Sequence, residues 1–384
     1  MSFELKERAE KLATEASAAL NKIERDLIEE SKRIITSNKG ETGKDLSKHN
    51  KSPTRASAKD WFKVGLSAFE KGEYDEALKA WAKVLQLLDQ KEEPELYAVT
   101  LMNQGITYGQ QGKSDDELNS YATLIEQFKD SSNEGIQIQV AKAMGNQGVT
   151  YGQQEKFEDA LNSYASLIEQ FKASPNEEIQ IQVAKAMFNQ GATYGKQENF
   201  KDALNSYASL IEQFKGSANE EIQIRVAKAM CGQSAVYCQK KDFPSALKSH
   251  SILFKQFRSS ENNEIKEVIA DLQTNIAEQA LIYETPEQVL TRVAEAEKYS
   301  DNPENLAVMQ FIRFLLDDKT IEEVFTALTK IPTEMKLTWN FGEIKDYLTD
   351  NFEGIKQQQI QAVVQYFEQH KDIEQLRVEL GIKG

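Results

Sequence analysis

Proline is scarce, with 7 in 384 residues, which removes the strongest helix breaker and leaves room for long helices. Cysteine is scarcer, with 2 in the chain. Cys231 and Cys238 lie seven residues apart, which on one helix is about 10 Å, beyond the reach of a disulfide. They read as small buried or groove-lining thiols, and a reducing, cytoplasmic setting suits them. The 3 histidines are scattered. His49 falls in a polar stretch, His250 at a core-like place and His370 at the end of a C-terminal helix. No phosphate-cradling glycine loop, nucleophile elbow or zinc spacing accompanies them. Catalysis is therefore poorly supplied, and the chain reads as a non-enzyme with no cofactor and no metal site. No stretch approaches 18 apolar residues, so no membrane span is expected. The opening Met-Ser-Phe-Glu-Leu-Lys is charged at once and lacks the apolar heart of a signal peptide. Positive charge is also short. The net charge is −15, with residues 1–57 carrying +2 and the remaining 327 carrying −17. An acidic body disfavours nucleic acid and anionic lipid.

What is present is repetition. Val140-Ala-Lys-Ala-Met144 recurs as Val183-Ala-Lys-Ala-Met187, and Asn146-Gln-Gly148 as Asn189-Gln-Gly191. The thirteen residues from Ala160 to Lys172 return letter for letter from Ala203 to Lys215. A fixed period of 43 residues signals stacked helical units, none of which can bury its apolar face alone. Gly148 stands where two helices must approach closely, and Tyr151, Phe157, Leu161, Tyr164, Leu167, Ile168 and Phe171 supply the core.

The first unit carries Trp61, Gly65, Gly72, Tyr74, Ala77, Leu78 and Trp81. Later units carry Gly105, Tyr108 and Tyr121; Gly148, Tyr151, Ala160 and Tyr164; and Gly191, Tyr194, Ala203 and Tyr207. A fifth keeps Tyr237, Ala246 and Leu247, with Ser234 in place of Gly and His250 in place of Tyr. From Trp61 through Gly65, Ala77 and Trp81 onward, this pattern resembles the tetratricopeptide repeat over roughly residues 58–258. The resemblance implies an all-α fold, a right-handed α-solenoid of helix pairs, and a non-enzymatic scaffold or adaptor that binds protein in a concave groove. Two departures from the family pattern stand out. The units are 43 residues long, and Glu117 takes the Ala place in the second unit, which predicts a looser pair there.

Local signals explain the extra length. Ser174-Pro-Asn-Glu177 reads as a capping box with Pro at the first helical position, and Ser131-Ser-Asn-Glu134 and Ser217-Ala-Asn-Glu220 repeat the box. The first helix of each unit should then run about 20 residues. The expected division is an amphipathic helix over 1–37, a tether over 38–57, about five repeats over 58–263, a degenerate sixth repeat or cap over 264–300 and a helical domain over 301–384. In the N-terminal helix Leu5, Ala9, Leu12, Ala16, Ala19, Ile23, Leu27 and Ile34 form a narrow stripe. That stripe suits packing on this chain, self-association through 3–37, or a partner. In the last region helices are expected at 303–317, 320–330, 341–351, 354–370 and 373–380. They suggest a cap, or a module around Trp339 and Phe341 that could also self-associate.

The candidate binding surface lies on the first helices. Lys142, Asn146, Val149 and Gln153 share one stripe, as do Lys185, Asn189, Ala192 and Lys196, then Lys228, Gly232, Ala235 and Gln239. Upstream the stripe reads Val99, Asn103, Ile106 and Gln110. With neighbouring helices about 8–10 Å apart, lysines and asparagines would stand in parallel ladders. Lysine can meet a carboxylate and an asparagine amide a peptide backbone, so an extended or helical acidic protein segment suits the groove. The surface partly resembles the carboxylate-clamp repeats that hold chaperone tails, although their Arg and first-repeat Lys–Asn pair have no match here. Other readings stay open: a regulatory sensor that tightens around a peptide, an accessory subunit of a larger enzyme, or RNA binding through the lysines, which the −17 body opposes.

Overall fold

The computed structural model describes residues 57–382, except 338, 340, 370 and 371. The helix expected over 3–37, all of the tether but Ser57, and His49 and His370 lie outside the described residues. Among the described residues every regular element is helical. The chain forms two compact units, one ending at Leu210 and the other beginning at Ile211.

The first unit holds α1 (Ala58–Glu70), α2 (Tyr74–Leu87), α3 (Pro94–Gln110), α4 (Ser114–Phe128), α5 (Glu134–Gln153), α6 (Phe157–Phe171) and α7 (Glu177–Lys196), with most of α8 (Phe200–Phe214). Consecutive helices pack as pairs, and successive first helices, α3, α5 and α7, also touch one another. The pairs close where an aromatic ring presses on a glycine. A Cβ built on Gly65 would stand 2.5 Å from Trp81, one on Gly105 2.5 Å from Tyr121 and one on Gly191 2.6 Å from Tyr207. Gly148 meets Tyr164 in the same way. Ala77, Ala160 and Ala203 are fully buried at the matching small-residue place. Each glycine costs up to about 1 kcal/mol in helix propensity relative to Ala, which the buried ring offsets.

The second pair is not looser. Glu117 is buried, and its carboxyl sits over Gly109, 2.9 Å from where a Cβ would be. The missing side chain at Gly109 makes room for the extra atoms at 117.

The 20-residue first helices appear as expected in α5 and α7. The caps do not. The cap of α7 is Asn176, whose Oδ1 accepts from Ile179 N at 2.9 Å. Asn133 caps α5 through Ile136 N in the same way. Ser174 instead accepts from Asn176 N at 3.3 Å, and Gln180 Nε2 donates to Ser174 O at 2.7 Å. The serine thus shapes the turn that delivers the asparagine, and Pro175 precedes the cap rather than opening the helix. Between repeats, Gln170 Nε2 donates to Lys129 O at 2.7 Å and Asn176 Nδ2 to Glu134 Oε1 at 2.9 Å.

The second unit begins inside α8 and continues with α9 (Glu220–Gln239), α10 (Phe243–Phe257), α11 (Asn263–Tyr283) and α12 (Pro286–Ala296). The helices expected beyond residue 300 fall at α13 (Pro303–Leu315), α14 (Ile321–Leu328), α15 (Lys345–Asp350), α16 (Gly354–Gln369) and α17 (Ile373–Glu379), with a 3-10 turn at Gly342–Ile344. Asn219 and Asn262 continue the series of caps at 43-residue intervals. One apolar core runs from Ala277 to Leu380, so the C-terminal helices share their interior with α11 and α12. Phe341 sits at its centre, 5.2 Å from the Phe311 ring and 5.5 Å from that of Phe367. Trp339 is tied in through its backbone N–H, which donates to Glu304 Oε1 at 2.7 Å. Where the fifth repeat departs from the pattern, His250 is buried and Ser234 Oγ donates to Ala246 O at 3.3 Å.

Candidate functional site

Lys142 extends along α5 with its side chain 12% exposed, and its Nζ lies 2.7 Å from Glu178 Oε1 on the first turn of α7. In the second unit Lys228 meets Glu264 Oε1 at 2.8 Å in the same manner. Lys185 is engaged as well. In the expected cation ladder Lys142 and Lys228 are thus already matched by carboxylates. Each of these glutamates also sits near a helix N-terminus, where its charge is favoured.

The asparagines face inward rather than outward. Asn146 Nδ2 donates to the Tyr121 hydroxyl at 3.3 Å, and Asn189 bonds the Tyr164 hydroxyl in the same way. Burial holds the Tyr121 and Tyr164 phenols well above their ordinary pKa, so both stay neutral partners. Asn103 is buried, and neither of its amide atoms has a partner among the described residues. The cause is local: Trp81 occupies the tyrosine place, and its indole N–H goes to Thr107 Oγ1 at 3.0 Å. Gln110 is half-buried at the end of α3, while Gln153, Lys196 and Gln239 are exposed at the ends of α5, α7 and α9.

A second accessible line lies one residue off the expected one, whose Asn146 and Asn189 are partly exposed too. On α5 it runs Lys142, Gly145, Val149 and Gly152; on α7, Lys185, Phe188, Ala192 and Gly195. All are partly exposed. Nothing described comes within 4 Å of a Cβ built on Gly152 or Gly195. Along α3 the same register is closed, with Val99, Met102 and Ile106 buried and Gly109 covered by Glu117. On α9 of the second unit the register reads Lys228, Cys231, Ala235 and Cys238, again partly exposed. Sequence reasoning missed Gly145, Phe188 and the two cysteines as strip residues. A helix stripe can step by three or four at each turn, and the polar asparagines drew the choice. The signal that separates the two lines was present: a buried tyrosine hydroxyl on the second helix before α5 and before α7 needs a partner, which Asn146 and Asn189 supply, Glu117 sharing the Tyr121 hydroxyl.

Buried in the first unit, the Glu117 carboxyl is raised above its usual pKa by burial, against hydrogen bonds from Thr150 and Tyr121 that lower it. Among the described residues no cluster of His, Cys, Asp and Glu could hold a metal ion, and no helix is long and apolar enough to cross a membrane. The strip offers a shallow floor of small and apolar residues between paired charges. Such a surface can seat a backbone or a helix.

A family model, the tetratricopeptide repeat, matches residues 185–217, which span the α7–α8 pair. A tetratricopeptide repeat thus lies within an all-α series of consecutive packed helix pairs. Among solved structures, a tetratricopeptide repeat protein from Parabacteroides merdae is 16% identical, covering 71% of this chain and 91% of its own, with a TM-score of 0.43. The apo form of RapI is also 16% identical, over 71% of this chain and 99% of its own, with a TM-score of 0.46. The TPR2AB-domain:pHSP90 complex of yeast Sti1 is 13% identical, covering 68% of this chain and 97% of its own, with a TM-score of 0.27. None of the curated proteins matches.

Proposed function

We infer that the chain is a non-enzymatic scaffold that holds a segment of another protein against the strip formed by α5 and α7. One observation carries this reading. Gly152 and Gly195 are helical and half-exposed, and nothing described lies within 4 Å of the side chain each lacks. Gly65, Gly105, Gly148 and Gly191 are explained by rings packed on them; Gly152 and Gly195 have no such internal explanation. Each forgoes up to about 1 kcal/mol relative to Ala, and the space they keep open suits a backbone approaching from outside.

The partner's chemistry follows from the same strip. Val149, Ala192 and Phe188 favour an apolar or small-residue face, and paired lysines and glutamates flank it. An acidic segment gains only by competing with Glu178 for Lys142, so charge tunes recognition rather than drives it. The acidic body continues to disfavour nucleic acid, and a reducing cytoplasm suits the two cysteines. The test is a photo-crosslinking amino acid placed at Val149 or Ala192, with Ala165 on the exposed side of α6 as control. Peptides of one partner protein should attach at 149 and 192 and not at 165, and a Gly152→Trp substitution should abolish the attachment. Equal labelling at 149 and 165 would remove the reading.

A further inference from the structure

We propose that the notch over Gly152 seats a carboxylate side chain of the segment held on the strip, as the chain's own Glu117 fills the matching place over Gly109. The inference rests on the reading that α5 and α7 form a binding strip, and it adds the chemistry that one point of the strip recognises.

The α3–α4 pair shows the contact already made. Glu117 stands on α4 where Ala160 stands on α6, and Gly109 stands on α3 where Gly152 stands on α5, 43 residues apart in both cases. The Glu117 carboxyl lies over Gly109, 2.9 Å from where a Cβ would be, and takes hydrogen bonds from the Tyr121 and Thr150 hydroxyls. Asn146 Nδ2 donates to the same phenol oxygen at 3.3 Å, so the phenol keeps its own proton for the carboxylate.

The α5–α6 pair repeats the frame without the acid. Tyr164 presses on Gly148 as Tyr121 presses on Gly105. Asn189 bonds the Tyr164 hydroxyl as Asn146 bonds that of Tyr121. Thr193 follows Thr150, their hydroxyls 2.8 and 3.0 Å from the carbonyls of Asn189 and Asn146. Tyr164 and Thr193 are buried. The difference is at Ala160, which ends at its methyl. Nothing described comes within 4 Å of a Cβ built on Gly152, and Gly152 is partly exposed on the strip. The hydroxyl places that hold the Glu117 carboxyl are thus repeated beside an opening that a bound segment can reach. In the first pair Phe69 stands at the place of these glycines and is buried, so a ring takes the space there.

Charge favours a carboxylate over an amide. Glu155, three residues beyond Gly152, acts electrostatically on Lys196 of α7. That interaction places an exposed lysine at the rim of the notch, where it lowers the cost of bringing in an anion.

The experiment uses the full chain with the photo-crosslinking residue at Val149 and a phage-displayed peptide library as the probe. Peptides captured at 149 should share an acidic position. In synthetic copies, changing that residue to Gln should weaken binding several-fold, and changing it to Ala should weaken it by about tenfold or more, the loss of one or two hydrogen bonds to a charged group. Ala160→Glu, which supplies an internal carboxyl to the notch, should weaken the acidic peptides as much as the Ala change does. Lys196→Gln should narrow the gap between an acidic peptide and its Gln form. Ala160→Glu should keep the urea midpoint of the unaltered chain, because the α3–α4 pair already houses the same residue, whereas Ala77→Glu, with Phe69 in the glycine place, should lower it. An Ala160→Glu midpoint as low as that of Ala77→Glu, or acidic peptides that bind the Ala160→Glu variant unchanged, would each overturn the proposal. Peptides captured at 149 without a shared acid would sink this inference and leave the binding surface standing, while capture at 149 no greater than at the Ala165 control would remove both.

Discussion

Gly191 and Gly195 lie one turn apart on α7 and are kept for opposite reasons. Gly191 gives way to the Tyr207 ring, and Gly195 faces open space. Gly191→Ala should cost roughly 1–3 kcal/mol, the range of an overpacked core, whereas Gly195→Ala should leave stability unchanged or raise it by up to about 1 kcal/mol. Urea unfolding of the two variants separates them. A drop for Gly195→Ala as large as for Gly191→Ala would mean that the strip glycine is packed after all. A second residue-scale test concerns the turn after each first helix. The early turns place Gly72 and Gly112 at positive φ, but the later ones place Glu155 and Glu198 there, both at φ 58. A side chain in that region costs about 1 kcal/mol or more. Glu155→Gly should therefore raise the unfolding free energy by about 1 kcal/mol, and no gain would show that the glutamate makes a compensating contact.

At the scale of the element, the helix series was legible because the 43-residue period, the glycine–aromatic places and the apolar spacing all point to the same pairing. Three things were not legible, and each turns on a partner that only the folded chain supplies. Ser174 and Asn176 are both good caps, and only backbone geometry decided that Asn176 reaches the Ile179 amide. Asn176→Ala should thus cost about 1 kcal/mol, and Ser174→Ala less; the reverse order in thermal unfolding would restore the serine as cap. Likewise Lys142 reads from sequence as a free cation, because its partner Glu178 lies 36 residues away on the next first helix. A double-mutant cycle on Lys142→Ala and Glu178→Ala should return a coupling of about 0.5–1 kcal/mol, modest because the glutamate is half-exposed. Zero coupling would return the lysine to the role of a ligand-seeking charge. Glu117 shows the third limit. Its misfit at an alanine place was visible, but its accommodation over Gly109 depends on a tertiary contact that no local pattern announces.

For the molecule as a whole, the two units should respond to acid in opposite directions. In the second unit, burial lowers the His250 imidazole to about 4 from an ordinary 6.5; Arg292 adds to the shift, and Gln273 and Glu284 oppose it. Between those values the unfolded chain binds the proton that the folded chain refuses, so stability falls as pH drops from 6.5 towards 4. The shift corresponds to roughly 3 kcal/mol at about 1.4 kcal/mol per pH unit. In the first unit Glu117 has the opposite sense. Its folded pKa is raised above 4.5, so the folded form holds a proton that the unfolded form releases, and its stabilising effect is lost as pH rises from 4.5 through the folded value. Each unit draws on its own neighbours in a stacked array, so the effects need not cancel locally. Relative to the unaltered chain, His250→Phe should gain roughly 3 kcal/mol between pH 7 and pH 4. Glu117→Gln should gain in the other direction, from pH 4 to pH 7. Urea unfolding at the two pH values checks both. Parallel behaviour of the two variants would mean that one of these buried groups is protonated in the folded chain just as it is in the unfolded one.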